Sequence, residues 1–178
     1  MYIWLGIDVD SQLCELKERA MRAERELGLT PSCYTLPMHV SLKMSFEVEA
    51  ECFGAIVDDV VRYYESLAPF SVSVRGIEDE GGIIWLRMGE SEQLNRVHDE
   101  LNAMLGERWN IGLHEYDLDY KFHTTLFMSA DGGKMRAAYE RVADAPLPDA
   151  LCVRRLVIGR SDSGALGTYT VYKTVTLT

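Results

Sequence analysis

Two stretches of the chain pair a histidine with a hydroxyl residue two positions later. They are Pro37-Met38-His39-Val40-Ser41-Leu42-Lys43 and Lys121-Phe122-His123-Thr124-Thr125-Leu126-Phe127. Each lies in an apolar run rich in β-branched residues, which predicts a strand. Side chains along a strand repeat with period two, so His39 and Ser41 share a face, as do His123 and Thr125. Val40 and Leu42, or Thr124 and Leu126, turn to the other face. A polar pair on one face of a core-like strand is costly unless that face lines a wet cleft.

The chemistry such a cleft permits is phosphodiester transfer. One group must take a proton from the attacking oxygen and another must give one to the leaving oxygen. An imidazole, with an ordinary pKa of about 6.5, suits either task near neutral pH. Two of them on opposite sides of one phosphorus provide in-line geometry. Ser41 and Thr125 can donate hydrogen bonds to the non-bridging oxygens. His39 is assigned as general acid and His123 as general base, with the roles exchanged in the reverse reaction. The scheme requires no metal and no cofactor. Lys43, two positions beyond Ser41, is expected on the same side, adding positive charge at the rim. Tyr34 and Tyr120 flank the motifs and are candidates for stacking on a base.

Each assignment has a plainer competitor. A single strand histidine is more often a buried ring satisfied by backbone; the matched pair is what favours catalysis. Ser41 and Thr125 also fit simple strand preference. Lys43 fits a surface lysine, and the two tyrosines fit packing. His98, in an expected helix, and His114, in an acidic loop, read as surface or structural residues. The four histidines lack the close spacing of a zinc site. Gly81-Gly82 and Gly132-Gly133 are turn signals rather than phosphate loops, since no Lys-Ser/Thr follows at the required distance.

The elements that must position these residues follow from hydrophobic periodicity. Residues 2–9 form an apolar strand, and Leu13, Leu16, Ala20, Ala23 and Leu27 then recur at helical spacing, with Gly28 as the stop. A loop at 30–37 leads into the first His strand, at 38–48. A helix is expected over 49–67, then strands at 70–77 and 83–88 joined by a turn at Glu80-Gly81-Gly82. Ser91 caps a helix over 91–105. An irregular segment, 106–119, precedes the second His strand at 120–128. A break at Asp131-Gly132-Gly133, a helix over 134–143, a strand over 152–158, a turn over 160–167 and a strand over 168–177 complete the chain. This mixture of helices and hairpin-forming strands predicts an α+β protein with antiparallel sheets.

The 178 residues, 47% of them apolar and 26% charged, suit one domain with a sizeable core. A formal net charge of −10 argues against non-specific binding of duplex nucleic acid, which needs a basic face. The opening residues lack a secretory leader, and no apolar run approaches the roughly 20 residues that span a bilayer. Cys14, Cys33, Cys52 and Cys152 are scattered, so reduced thiols in a cytoplasmic protein are expected over a cross-link.

With both motifs placed, the chain resembles the two-histidine (2H) phosphoesterase superfamily, the LigT-like proteins that include RNA 2′,3′-cyclic phosphodiesterases. The likeness rests on His39-Val40-Ser41-Leu42 and His123-Thr124-Thr125-Leu126, on the opening strand Tyr2-Ile3-Trp4-Leu5-Gly6-Ile7-Asp8, and on the helix containing Leu94-Asn95-Arg96-Val97-His98 that leads towards Phe122-His123. Thr124 is more polar than the family pattern favours, and Phe122 stands where many relatives have proline. The resemblance implies a single bilobed domain over residues 1–178: two antiparallel sheets facing a central cleft, helices outside, one motif per lobe. It implies a monomeric phosphoesterase acting on a cyclic phosphate or 2′-linked phosphodiester of a small nucleotide or single-stranded RNA end, away from membranes. Rival expectations are a non-catalytic nucleotide- or RNA-end-binding module, a 2′-5′ RNA end-joining activity, and an α+β protein that works through protein contacts.

Overall fold

The computed structural model describes residues 1–30 and 36–178, so Tyr34 and Cys33 lie outside the described residues. Eight strands form two four-stranded antiparallel sheets. The first has the order β2-β1-β7-β8, from β1 (Tyr2–Asp8), β2 (His39–Glu47), β7 (Arg155–Ser161) and β8 (Thr170–Thr176). The second has the order β5-β4-β3-β6, from β3 (Phe70–Asp79), β4 (Ile83–Met88), β5 (His123–Met128) and β6 (Ala150–Val153). Four α-helices complete the expected α+β architecture: α1 (Cys14–Leu27), α2 (Phe53–Glu65), α3 (Glu92–Trp109) and α4 (Gly132–Val142).

The helices take the faces the His side chains leave. Alternation is plain in β4, where Ile84, Leu86 and Met88 are buried while Ile83, Trp85 and Arg87 are only partly covered. α1 packs on α4, and both lie against β5. α2 packs on α3; α3 lies on β2 and α2 on β8. Each half therefore sends a helix to the other: α1 follows β1 of the first sheet but covers the second, and α3 does the reverse. One continuous hydrophobic core results, holding Leu5 and Leu42 together with Leu86 and Leu126.

Local chemistry sets the boundaries. Gly28 ends α1 in the left-handed region, at φ 58°, as its position suggested. Ser91 caps α3 by accepting from the Leu94 N–H. Two expectations needed correction. Gly132 and Gly133 are not a break but the first turn of α4, because Asp131 accepts from the Gly133 and Lys134 N–H groups and caps the helix there. The single strand expected over 152–158 is two strands. β6 pairs with β3 and β7 pairs with β1, so the chain changes sheet at Arg154.

The segment after α3 is anchored from inside. The Lys43 ammonium donates to the Asp117 carboxylate and to the Gly112 carbonyl, and both charged side chains are buried. Asp117 also accepts from the backbone N–H of His114 at 2.7 Å and of Met44 at 3.3 Å. Breaking a buried ion pair strands a charge, so Lys43→Met is expected to cost about 3–5 kcal/mol in chemical denaturation. Lys43→Met combined with Asp117→Leu is expected to recover much of that loss.

Candidate active site

Both motif histidines are held in the same way. The Nδ1 of His39 lies 2.8 Å from the carbonyl oxygen of Pro37. The Nδ1 of His123 lies 2.6 Å from the carbonyl oxygen of Lys121. A carbonyl can only accept, so Nδ1 carries the proton in each ring and Nε2 keeps its lone pair when the ring is neutral. In each case the partner sits two residues back in the same chain segment, so the strand itself orients the ring.

Each ring also leans on an indole from the neighbouring strand. Trp4 of β1 meets His39 edge-on at 4.3 Å between ring centres, and Trp85 of β4 meets His123 at 4.2 Å. Trp4 lies flat because glycines sit beneath it: a Cβ on Gly6 would fall 2.2 Å from the indole, and one on Gly159 of β7 would fall 2.8 Å away. Its N–H donates to Ser41 Oγ at 2.9 Å. That bond fixes the Ser41 oxygen.

The two rings stand on strands that meet. β2 and β5 touch across the gap between the sheets. Burial is the main cause that lowers the His39 pKa from its ordinary value, and a positive charge on His123 lowers it further, so the imidazoles sense one another. Tyr120 spans the space between. Its ring stacks on buried His98 at 5.0 Å and lies 6.5 Å from the His123 ring, and its hydroxyl interacts with Ser41. Burial raises the Tyr120 pKa and keeps the phenol protonated. Thr125 sits opposite Trp85 in the β4–β5 ladder.

What faces each histidine across its ladder differs in charge. Asp8 stands opposite His39, and Arg87 stands opposite His123. The Asp8 carboxylate also pairs with Arg155 at 3.1 Å. Asp8 favours the charged form of His39, against the larger effect of burial. His123 has no such help: burial lowers its pKa, and Arg87 lowers it further, against the pull of the Lys121 carbonyl. Beside His39, Asp8, Asp10, Ser11, Pro37, Arg155, Val157, Val171 and Thr174 line a cavity of about 310 Å³.

The structure thus places His39 and Ser41 on β2 and His123 and Thr125 on β5, two strands that touch, with Tyr120 near both Ser41 and His123. It places Lys43 elsewhere. A bulge in β2 makes Lys43 oppose Leu5 while Ser41 opposes Gly6, so the two-residue period breaks and Lys43 is buried against Asp117 rather than at the rim. Tyr34 lies outside the described residues. His98 is structural, and His114 is exposed, capping the turn at Glu115–Asp117. Sequence reasoning missed Trp4, Asp8, Trp85 and Arg87. Their signal was period-two spacing on β1 and β4, but only strand register shows which histidine each one meets.

Ring-resolved ¹⁵N spectra are expected to place the proton on Nδ1 in both neutral histidines. Both are expected to titrate below about 6.5. Asp8→Asn should lower the His39 midpoint further and leave His123 nearly unmoved. The unfolded chain takes up these protons at a higher pH than the folded one. Stability should therefore decline as pH falls from 7 through 6.5 and level off below the folded-state values.

Comparison with known proteins bears on the family and the fold. A family profile described as the 2′-5′ RNA ligase superfamily matches residues 9–165. A search of curated protein sequences finds no match. Among solved structures, TT0787 of Thermus thermophilus superposes with a TM-score of 0.63 at 21% identity, covering 99% of this chain and 98% of that one. E. coli LigT in apo form gives a TM-score of 0.61 at 14% identity, covering 99% and 97%. A crystal structure described as a phosphoesterase gives 0.59 at 16% identity, covering 99% and 97%. At these identities the likeness is one of fold. The match to the profile spans most of the chain and carries both histidine motifs, and the chain belongs to the 2′-5′ RNA ligase superfamily, whose LigT-like members are two-histidine phosphoesterases.

Proposed function

We propose that the chain is a phosphoesterase that opens a cyclic phosphate, or cleaves a 2′-linked phosphodiester, of a small nucleotide or single-stranded RNA end. The observation that carries this reading is the matched pair of imidazoles. Each has its Nδ1 proton tied to backbone and no Nε2 partner among the described residues, and the two stand on touching strands with opposite charges behind them. Burial lowers the pKa of both rings; on top of that, Asp8 favours the charged form of His39 and Arg87 the neutral form of His123. His39 is then the acid and His123 the base in hydrolysis.

The step balances with these two groups. His123 Nε2 takes a proton from water as the water oxygen bonds to phosphorus. The opposite phosphorus–oxygen bond breaks, and His39 Nε2 gives its proton to the departing ribosyl oxygen. The product is a phosphomonoester, and solvent exchange returns the two rings to their starting states. Ser41, its oxygen held by Trp4, and Thr125 donate to the non-bridging oxygens. The cavity beside His39 is on the leaving-group side and suits the nucleoside. LigT has been crystallised with phosphate and with 3′-AMP, in keeping with this class of ligand. End joining would use the same residues with a 5′-hydroxyl in place of water: His123 takes the hydroxyl proton, its oxygen bonds to phosphorus, and the opposite ring bond opens as His39 protonates the departing ribosyl oxygen.

His39→Ala and His123→Ala should each reduce 2′,3′-cyclic nucleotide hydrolysis on the order of 10²–10⁴-fold with the fold intact. The wild-type rate should be unaffected by chelator and follow a bell-shaped pH profile centred on the acid side of neutrality. Undiminished turnover in both alanine variants would falsify the mechanism. Wild-type protein that gains thermal stability from nucleotides but turns none over would be a binding module instead.

A further inference from the structure

On β4, Trp85 and Arg87 point to the face that His123 and Thr125 occupy on β5, paired Trp85 with Thr125 and Arg87 with His123. Their nitrogens are the unsettled atoms of this wall. Trp85 Nε1, Arg87 Nε and Arg87 Nη1 are all buried and have no hydrogen-bond partner among the described residues. The Arg87 side chain is only 12% exposed. Glu78 on β3 stands across from Trp85, and its carboxylate comes within 3.5 Å of Arg87 Nε, an ion-pair approach that completes no hydrogen bond. Glu78 is also shared with Arg75, at 3.1 Å. The guanidinium carbon lies over the Trp85 ring, 5.3 Å from its centre.

The other half lacks this feature. There the indole N–H of Trp4 is satisfied by Ser41, and the charged group opposite the histidine is a carboxylate. Buried donors are almost always paired in a finished structure, and a buried guanidinium most of all. Three unpaired N–H donors on one patch, two of them on a cation, call for an oxyanion.

We propose that Arg87 and Trp85 form the seat of the phosphoryl group: they hold its non-bridging oxygens on the His123 side and discriminate in favour of a phosphate with more than one negative charge. The inference rests on the proposed phosphoesterase reading and adds the group that binds the charge. It also gives a direction. The ligand's phosphate sits against β4 and β5 while its organic part extends towards the cavity bordered by Asp8 and Arg155. A phosphomonoester dianion is therefore held more firmly than a cyclic monoanion, and product inhibition follows.

The test uses the full chain and two probes, inorganic phosphate and a 3′-nucleoside monophosphate. In wild-type protein, phosphate should shift the Trp85 indole N–H resonance and the Arg87 Nε–H resonance, and leave the Trp4 indole N–H nearly still. Arg87→Met should weaken phosphate binding on the order of ten- to a hundredfold, and Arg87→Lys should restore only part of it, since an ammonium cannot fork. Phosphate affinity within twofold of wild type in a folded Arg87→Met protein overturns the proposal, as does a titration that moves the Trp4 resonance and not that of Trp85. Neither result depends on turnover. Wild-type protein that hydrolyses cyclic nucleotide but shows no phosphate shift at Trp85 or Arg87 would remove this seat and spare the enzyme. Phosphate held through Arg87 by a protein that hydrolyses nothing would keep the seat and remove the enzyme.

Discussion

The site depends on a short bond within one strand. An imidazole that donates Nδ1–H to the carbonyl two residues behind it has its tautomer, its tilt and its free nitrogen settled at once. No distant side chain is needed to orient the ring, in contrast to arrangements where a carboxylate does so. Charged residues nearby are then free to set proton affinity. Burial lowers it in both rings, and Asp8 and Arg87 then act from the adjacent strands with opposite signs. Two half-sites that share one construction are thereby made chemically unequal.

Support for the rings is also duplicated and then varied. An indole backs each histidine, but Trp4 lies flat over Gly6 and Gly159 with its N–H satisfied, whereas the Trp85 N–H is buried without a partner. In the first half the indole donor is used; in the second the indole and guanidinium donors are not. Exchange of α1 and α3 between the halves places both sheets on one core, so a change in either is felt by both.

Much of this was legible in the sequence because it depends on period. The two His-x-Ser/Thr runs, the glycine stop of α1, the Ser91 cap and the turn at Gly81-Gly82 are local signals, and local rules read them. The errors have local causes of another kind. Lys43 was placed by assuming an unbroken strand, and a bulge reversed it. Residues 151–153 and 156–158 are apolar on either side of Arg154-Arg155, and a charged pair inside a short run does not by itself say that the chain leaves one sheet for the other there. Asp131 proved stronger as a cap than Gly132 and Gly133 are as breakers. The pairing of Asp8 with His39 and of Arg87 with His123 depends on register between strands separated by a helix, information that no short window holds.

The sheet change at Arg154 has a consequence for assembly. β1 is the first strand of the chain, yet its partner β7 is among the last, and β6, one residue earlier, closes the opposite sheet. Neither sheet reaches four strands until residues beyond 150 are in place. Contacts of such long sequence separation form late and slowly, because loop closure must precede them. A growing chain therefore carries both histidines well before either has its finished surroundings, and the capacity for chemistry arrives in one late event rather than half by half.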